Sequence, residues 1–127
     1  MLEILCIDDE PDFRVMLKEF IALWGYGALE ACDGADGLTQ IVERKPALVI
    51  CDRKMPRLSG YEMLTLLREK FPQFNETPFI FLTALDDVRD INAVEDLRPT
   101  RYLTKPIDFL ALRAAIEELL EEISLRH

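Results

Sequence analysis

The sequence predicts an α/β fold: a doubly wound, five-stranded parallel sheet in the order 2-1-3-4-5 with helices on both faces. Three observations lead there. Short apolar runs without alternation, typified by Leu48-Val49-Ile50-Cys51, read as strands buried on both faces, which parallel neighbours under helical cover provide. Each such run is followed by a segment with apolar residues at helical spacing, and that alternation gives parallel strands joined by right-handed crossovers. The three most apolar runs, ending at Ile7, Cys51 and Thr83, belong in the centre, and the weaker runs at Tyr26 and Tyr102 belong at the edges.

The first strand runs from Met1 to Ile7 and ends on Asp8-Asp9-Glu10-Pro11. Pro11 suits a first helical position, and Phe13, Met16, Leu17, Phe20, Ile21 and Trp24 form an inward face for core packing until Gly25 stops the helix. Tyr26 to Ala31 is a weaker strand, Asp33-Gly34 a turn, and Ala35, Leu38, Ile41 and Val42 mark a second helix closed before Pro46. After the central strand and Asp52, Ser59-Gly60-Tyr61-Glu62 has the spacing of a capping box and opens a helix with Met63, Leu64, Leu67 and Phe71 inward. Pro72 ends it, and Pro72 to Pro78 reads as a polar loop before the strand Phe79-Ile80-Phe81-Leu82-Thr83. Asp86 and Asp87 suit the start of a fourth helix carrying Val88, Ile91, Val94 and Leu97, closed by Pro99. Arg101-Tyr102-Leu103-Thr104 is a short last strand before Lys105-Pro106. Asp108 then caps a long fifth helix with Phe109, Leu112, Ile116, Leu119, Leu120 and Ile123 inward and its glutamate pairs in solvent.

The totals narrow the function classes. A chain of 127 residues is one domain's worth and buries a core without staples, so a single domain over 1–127 is expected. A net charge of −9 argues against direct nucleic-acid binding. The start is too short and acidic for a signal peptide, and no apolar stretch approaches membrane-spanning length; a cytoplasmic protein without a membrane partner is expected. Cys6, Cys32 and Cys51 are odd in number and form no CxxC, which disfavours a disulfide framework or a zinc site and leaves them as small core fillers.

In the order 2-1-3-4-5 the topological switch point lies between the first and third strands, which brings Asp8 and Asp9 beside Asp52 at the edge where such sheets bind ligands. Alone, Asp52 reads as a turn starter. Three carboxylates at one crevice repel each other unless some are protonated or a cation holds them. Oxygen ligands only, with the sole histidine terminal at His127, favour Mg²⁺ over zinc or copper. Thr83 and Lys105 reach the same edge. Singly they read as a strand-end cap and a snorkelling lysine; together with a metal and a carboxylate they form a receptor for a tetrahedral dianion. This points to phosphoryl chemistry, with Asp52 as the natural acceptor.

These residues resemble the receiver domain of two-component response regulators, a flavodoxin-like fold, over essentially the whole chain. The motifs are Asp8-Asp9, Asp52 with Met55-Pro56 and Gly60, Thr83-Ala84, and Tyr102 before Lys105-Pro106. The resemblance implies that Asp52 accepts a phosphoryl group from a phosphohistidine on a sensor histidine kinase or a phosphotransfer protein. It also implies that Asp9 is a direct ligand of Mg²⁺, that Asp8 acts largely through water, and that Asp52 and the main-chain carbonyl of Lys54 complete the set. By the same carry-over Lys105 pairs with the phosphoryl oxygens, Thr83 swings towards them, and Tyr102 turns inward. That remodels the face of the fourth helix, fifth strand and fifth helix for output or homodimerisation. The Lys105-Pro106 bond is expected to be cis.

Arg53 and Lys54 depart from the usual pattern by placing two cations beside the acceptor, and Pro99-Thr100 stands where a small pair is common. Three other readings compete. An aspartate-nucleophile phosphatase needs a second acid two residues past its nucleophile, where Lys54 stands. An FMN binder of the same strand order needs a hydroxyl- and Gly-rich loop after the first strand. An unmodified pseudo-receiver would serve only as an interaction module, against the intact acids.

Overall fold

The computed structural model describes residues 1–53, 55, 57–84 and 100–126. Its strands are β1 (Glu3–Ile7), β2 (Gly27–Ala31), β3 (Leu48–Asp52), β4 (Phe79–Thr83) and β5 (Thr100–Thr104). They form one parallel sheet in the order β2-β1-β3-β4-β5. The described helices are α1 (Pro11–Leu23), α2 (Gly34–Arg44), α3 (Gly60–Lys70) and α4 (Phe109–Arg126). The helix expected over Asp86 to Leu97 falls outside the described residues, as do Lys54 and His127.

Alternation across the strands divides the core into two layers. Leu5, Ile7, Val49, Cys51, Phe79 and Phe81 meet Ile41 of α2 and Met63, Leu64 and Leu67 of α3 on one face. Ile4, Cys6, Leu48, Ile50, Ile80 and Leu82 meet Leu17 and Ile21 of α1 and Leu112, Ile116 and Leu119 of α4 on the other. Unbroken apolar strands are thus explained: both faces of β1, β3 and β4 are covered.

The helix ends follow local chemistry. Ser59 and Glu62 form the reciprocal capping box, the Ser59 hydroxyl accepting from the Glu62 amide and the Glu62 carboxylate from the Ser59 amide. The Asp108 carboxylate accepts from the amides of Leu110 and Ala111. Gly25, at φ +93°, takes the left-handed conformation that ends α1. Three expectations are corrected. Asp33-Gly34 is no free turn: Asp33 is the N-cap of α2, accepting from the Asp36 amide at 2.8 Å, and Gly34 is the first helical residue. The stretch from Pro72 to Pro78 is not simply a polar loop, because Pro72–Phe74 forms a 3-10 turn that buries Phe74 against the core, and Arg68 donates to the carbonyls of Phe74 and Thr77. Cys32 is exposed just beyond the edge strand β2, whereas Cys6 and Cys51 fill the core.

The loop from β3 to α3 shapes the site. Gly60 lies so close to the central strand that an added Cβ would sit 2.7 Å from the Asp52 carbonyl oxygen and 2.7 Å from the Cys51 Sγ. Arg57 holds φ at +72°, a conformation that costs a non-glycine residue roughly 1 kcal/mol or more. Opposite effects on stability are therefore expected three residues apart. Gly60→Ala should cost about 2 kcal/mol by overpacking, while Arg57→Gly should gain about 0.5 kcal/mol once glycine's own entropic cost is deducted. Equilibrium urea unfolding measures both.

Candidate functional site

The sheet register carries the polar residues of interest to one edge. Ile7 pairs with Cys51, Asp52 with Leu82, and Thr83 with Thr104, so Asp8, Asp52, Thr83 and Lys105 all leave the carboxyl ends of neighbouring strands. Main-chain hydrogen bonds extend the pairing past the strand ends, from the Asp8 amide to the Ala31 carbonyl and from the Lys105 amide to the Thr83 carbonyl at 2.8 Å.

Asp8, Asp9 and Asp52 each place a carboxylate oxygen within 4.8 Å of the others. Asp8 is fully buried, Asp52 is mostly buried and Asp9 is exposed. One Asp8 oxygen, Oδ1, accepts from the Glu10 amide at 2.8 Å. The other, Oδ2, is buried without a hydrogen bond and lies 3.6 Å from the Lys105 Nζ. Lys105 donates to the Asp52 Oδ2 at 3.2 Å, and its Nζ lies 4.8 Å from the centroid of the Phe13 ring. The Lys105-Pro106 bond is cis, as expected. Thr83 is buried, and its hydroxyl donates to the Ala84 carbonyl at 3.1 Å. The Tyr102 ring packs against the core, stacked on Phe81 with centroids 6.0 Å apart, and its hydroxyl oxygen is buried. The inward arrangement of Tyr102 is therefore the one occupied here. Two of the Arg53 guanidinium nitrogens are buried, so this side chain is not a freely solvated cation.

The electrostatics follow from crowding. Burial raises the Asp8 carboxyl above its ordinary range; the Glu10 amide and Lys105 pull it down, and Asp52 and Asp9 push it up again. For Lys105 burial alone would lower the ammonium, but Asp52 and Asp8 outweigh it and hold the group above its usual value. A second layer supports the acids from below. Arg14 donates to the Asp8 carbonyl at 2.6 Å and to Glu30 at 3.2 Å, and Lys18 pairs with the same glutamate. Its hydrogen bond from Lys18 is the main reason the Glu30 carboxyl is lowered.

The structure thus gathers Asp8, Asp9, Asp52 and Lys105, with Thr83 at the adjacent strand end and Tyr102 on the neighbouring strand. Lys54, expected to offer a carbonyl, lies outside the described residues. Phe13, Arg14 and Glu30 were not anticipated as part of the site, since Phe13 reads simply as core. The available signal was Pro11 at the helix start, which puts residues 13 and 14 one turn above the acids.

The donor set fits a hard cation. Three carboxylates converge, and the buried Asp8 Oδ2 has lone pairs that no hydrogen bond uses. All the ligand atoms are oxygen, which suits Mg²⁺ better than softer metals.

Comparison with known proteins gives one consistent result. The response regulator receiver domain family matches residues 4–117. The chain is 35% identical over 121 residues to the "Probable transcriptional regulator ycf27" of Porphyridium aerugineum, covering 95% of this chain and 49% of that one. It is 36% identical over 120 residues to the transcriptional regulatory protein PcoR of Escherichia coli, covering 94% and 52%. The chain thus spans about half the length of the curated relatives it matches. Among solved structures, a response regulator receiver domain protein from Clostridium thermocellum superposes with a TM-score of 0.90 at 29% identity, each chain covered in full (100%).

The raised Asp8 carboxyl sets the sign of a stability effect. The folded chain holds this proton more tightly than the unfolded chain does, so ionised Asp8 opposes folding at neutral pH, and the opposition fades as the pH falls through the folded value. Asp8→Asn is expected to stabilise the metal-free protein by about 1 kcal/mol at neutral pH. The gain should shrink on acidification, as followed by urea unfolding at several pH values.

Proposed function

The chain belongs to the response regulator receiver domain family, and from that premise we propose that it receives a phosphoryl group on Asp52 in two-component signalling. The donor is a phosphohistidine of a sensor histidine kinase or a phosphotransfer protein, the partners with which such domains interact. The observation that carries the reading is the Lys105 ammonium at 3.2 Å from an Asp52 oxygen, within the cluster formed with Asp8 and Asp9.

In the proposed step an Asp52 carboxylate oxygen attacks the phosphorus. An O–P bond forms as the N–P bond of the phosphoimidazole breaks, and the imidazole nitrogen keeps the electron pair and is protonated from solvent. Asp8, Asp9, Asp52 and the Lys54 carbonyl would hold Mg²⁺. When bound, that ion supplies charge neutralisation for the phosphoryl oxygens. Lys105 exchanges its bond to Asp52 for one to a phosphoryl oxygen. Thr83 exchanges the Ala84 carbonyl for the same group. Tyr102 already stands inward, so phosphorylation holds it there and favours one arrangement of the face at β5 and α4, for output or homodimerisation.

We assign the whole of 1–127 to one receiver domain with no turnover of free substrates beyond loss of its own phosphoryl group. With a net charge of −9, this domain does not itself contact nucleic acid. Three free cysteines suit a reducing compartment, the cytoplasm. None of the described helices is long and apolar enough to cross a membrane.

Incubation with acetyl phosphate and Mg²⁺, read by intact mass, tests the assignment. The parent should gain one phosphoryl group, while Asp52→Asn and a chelated sample should gain none; equal labelling of Asp52→Asn means that the acceptor is another residue. Sustained phosphate release from small phosphoesters would favour a phosphatase, and an unlabelled parent a pseudo-receiver. Thr83→Ala should still be labelled, but the phosphorylation-dependent amide NMR shifts in β5 and α4 should disappear.

A further inference from the structure

Lys105 has an aromatic partner besides its carboxylates. Its Nζ lies 4.8 Å from the Phe13 ring centroid, inside the range at which a ring face attracts an ammonium, and the lysine side chain is only 28% exposed. The arrangement is braced on both sides. Phe13 sits in the first turn of α1 and packs on the layer beneath α1 and α4. Further along α1, Phe20 stacks on Phe109 at the start of α4 with centroids 4.0 Å apart and rings within 15° of parallel. This stack ties the helix bearing Phe13 to the helix that follows Lys105 in the chain.

During phosphoryl acceptance the hydrogen-bonding partner of Lys105 changes. The Asp52 oxygen it now bonds belongs to the group that becomes an acyl phosphate, so the ammonium must transfer to a phosphoryl oxygen. A further carboxylate held against Lys105 would compete with that oxygen for the same protons. A ring face attracts the cation without accepting a conventional hydrogen bond, keeps water from one side of it and is unchanged by the reaction.

We propose that Phe13 is a positioning residue for phosphoryl acceptance, its ring holding the Lys105 ammonium at the site while that ammonium passes from carboxylate to phosphoryl group. The inference rests on the reading of Asp52 as acceptor.

Two non-aromatic variants that keep apolar bulk, Phe13→Leu and Phe13→Met, are compared with Phe13→Tyr. In the unphosphorylated parent the ε-methylene protons of Lys105 should be displaced upfield by the ring. The displacement should survive in Phe13→Tyr and vanish in the other two. With acetyl phosphate and saturating Mg²⁺, the rate of Asp52 labelling should fall about 3- to 10-fold in Phe13→Leu and Phe13→Met and stay near the parental rate in Phe13→Tyr. In a Lys105→Met background, Phe13→Leu should slow labelling no further, which a loss of packing alone would not produce. A labelled parent whose non-aromatic variants keep pace overturns the role of Phe13 and leaves the acceptor reading standing. Variants that slow labelling equally with and without Lys105 overturn it as well. A parent that takes no label overturns the acceptor reading, and this inference with it.

Discussion

Like charges gathered at one end of a parallel sheet are the constraint on which the rest depends. Asp8, Asp9 and Asp52 lie within 4.8 Å of one another because the strand order makes β1 and β3 neighbours, and Asp8 is wholly buried. Burying a carboxylate beside others is costly unless something of opposite sign is held there. In the structure that counter-charge is Lys105, reaching Asp52 at 3.2 Å and Asp8 at 3.6 Å. Its attraction leaves the cost only partly met, since the Asp8 carboxyl is still raised. A site left short of positive charge is one that could take up a cation.

The scaffold sustains this unfavourable arrangement by spending stability elsewhere. Two apolar layers seal β1, β3 and β4, so the strand ends cannot drift apart to relieve repulsion. Arg14 fastens the Asp8 carbonyl to α1 and, through Glu30, to β2. Gly60 lets α3 begin against the Asp52 backbone, and Arg57 accepts a left-handed conformation in the loop that makes this approach. The strained position in the loop and the crowded one at the first residue of α3 thus lie three residues apart, close to the proposed acceptor, as expected where geometry is held against local preference.

Much of this was legible in the sequence for reasons of period and position. Unbroken apolar runs gave the strands, their ranking gave the order, and order together with register placed Asp8, Asp52, Thr83 and Lys105 at one edge. Ser59 and Asp108 were legible because a cap depends on residues two or three apart. What escaped depends on tertiary contacts. Phe74 looked like part of a polar loop because nothing in the neighbouring residues reports that Arg68 folds that loop back on the core. Cys32 looked like core because its type is usually buried, but it falls past the end of an edge strand. Phe13 fitted the apolar stripe of α1, and no periodicity reports that an ammonium from β5's far end approaches its ring.

On the proposed reading, the contacts that differ between the two states bound what the switch can do. Lys105 is already in an ion pair, so moving it from Asp52 to a phosphoryl oxygen exchanges one charge-assisted bond for another. Thr83 exchanges a neutral bond to the Ala84 carbonyl for a charge-assisted one, a gain on the order of 1 kcal/mol. That differential shifts a conformational equilibrium roughly 5- to 10-fold, far short of the ~10⁴-fold needed to invert a strongly one-sided population. The active arrangement must therefore be well populated before phosphorylation. The inward Tyr102 on Phe81, beside a Thr83 hydroxyl bonded to the Ala84 carbonyl, is compatible on that reading with a reporter and a phosphate sensor coupled by a modest bias rather than locked together.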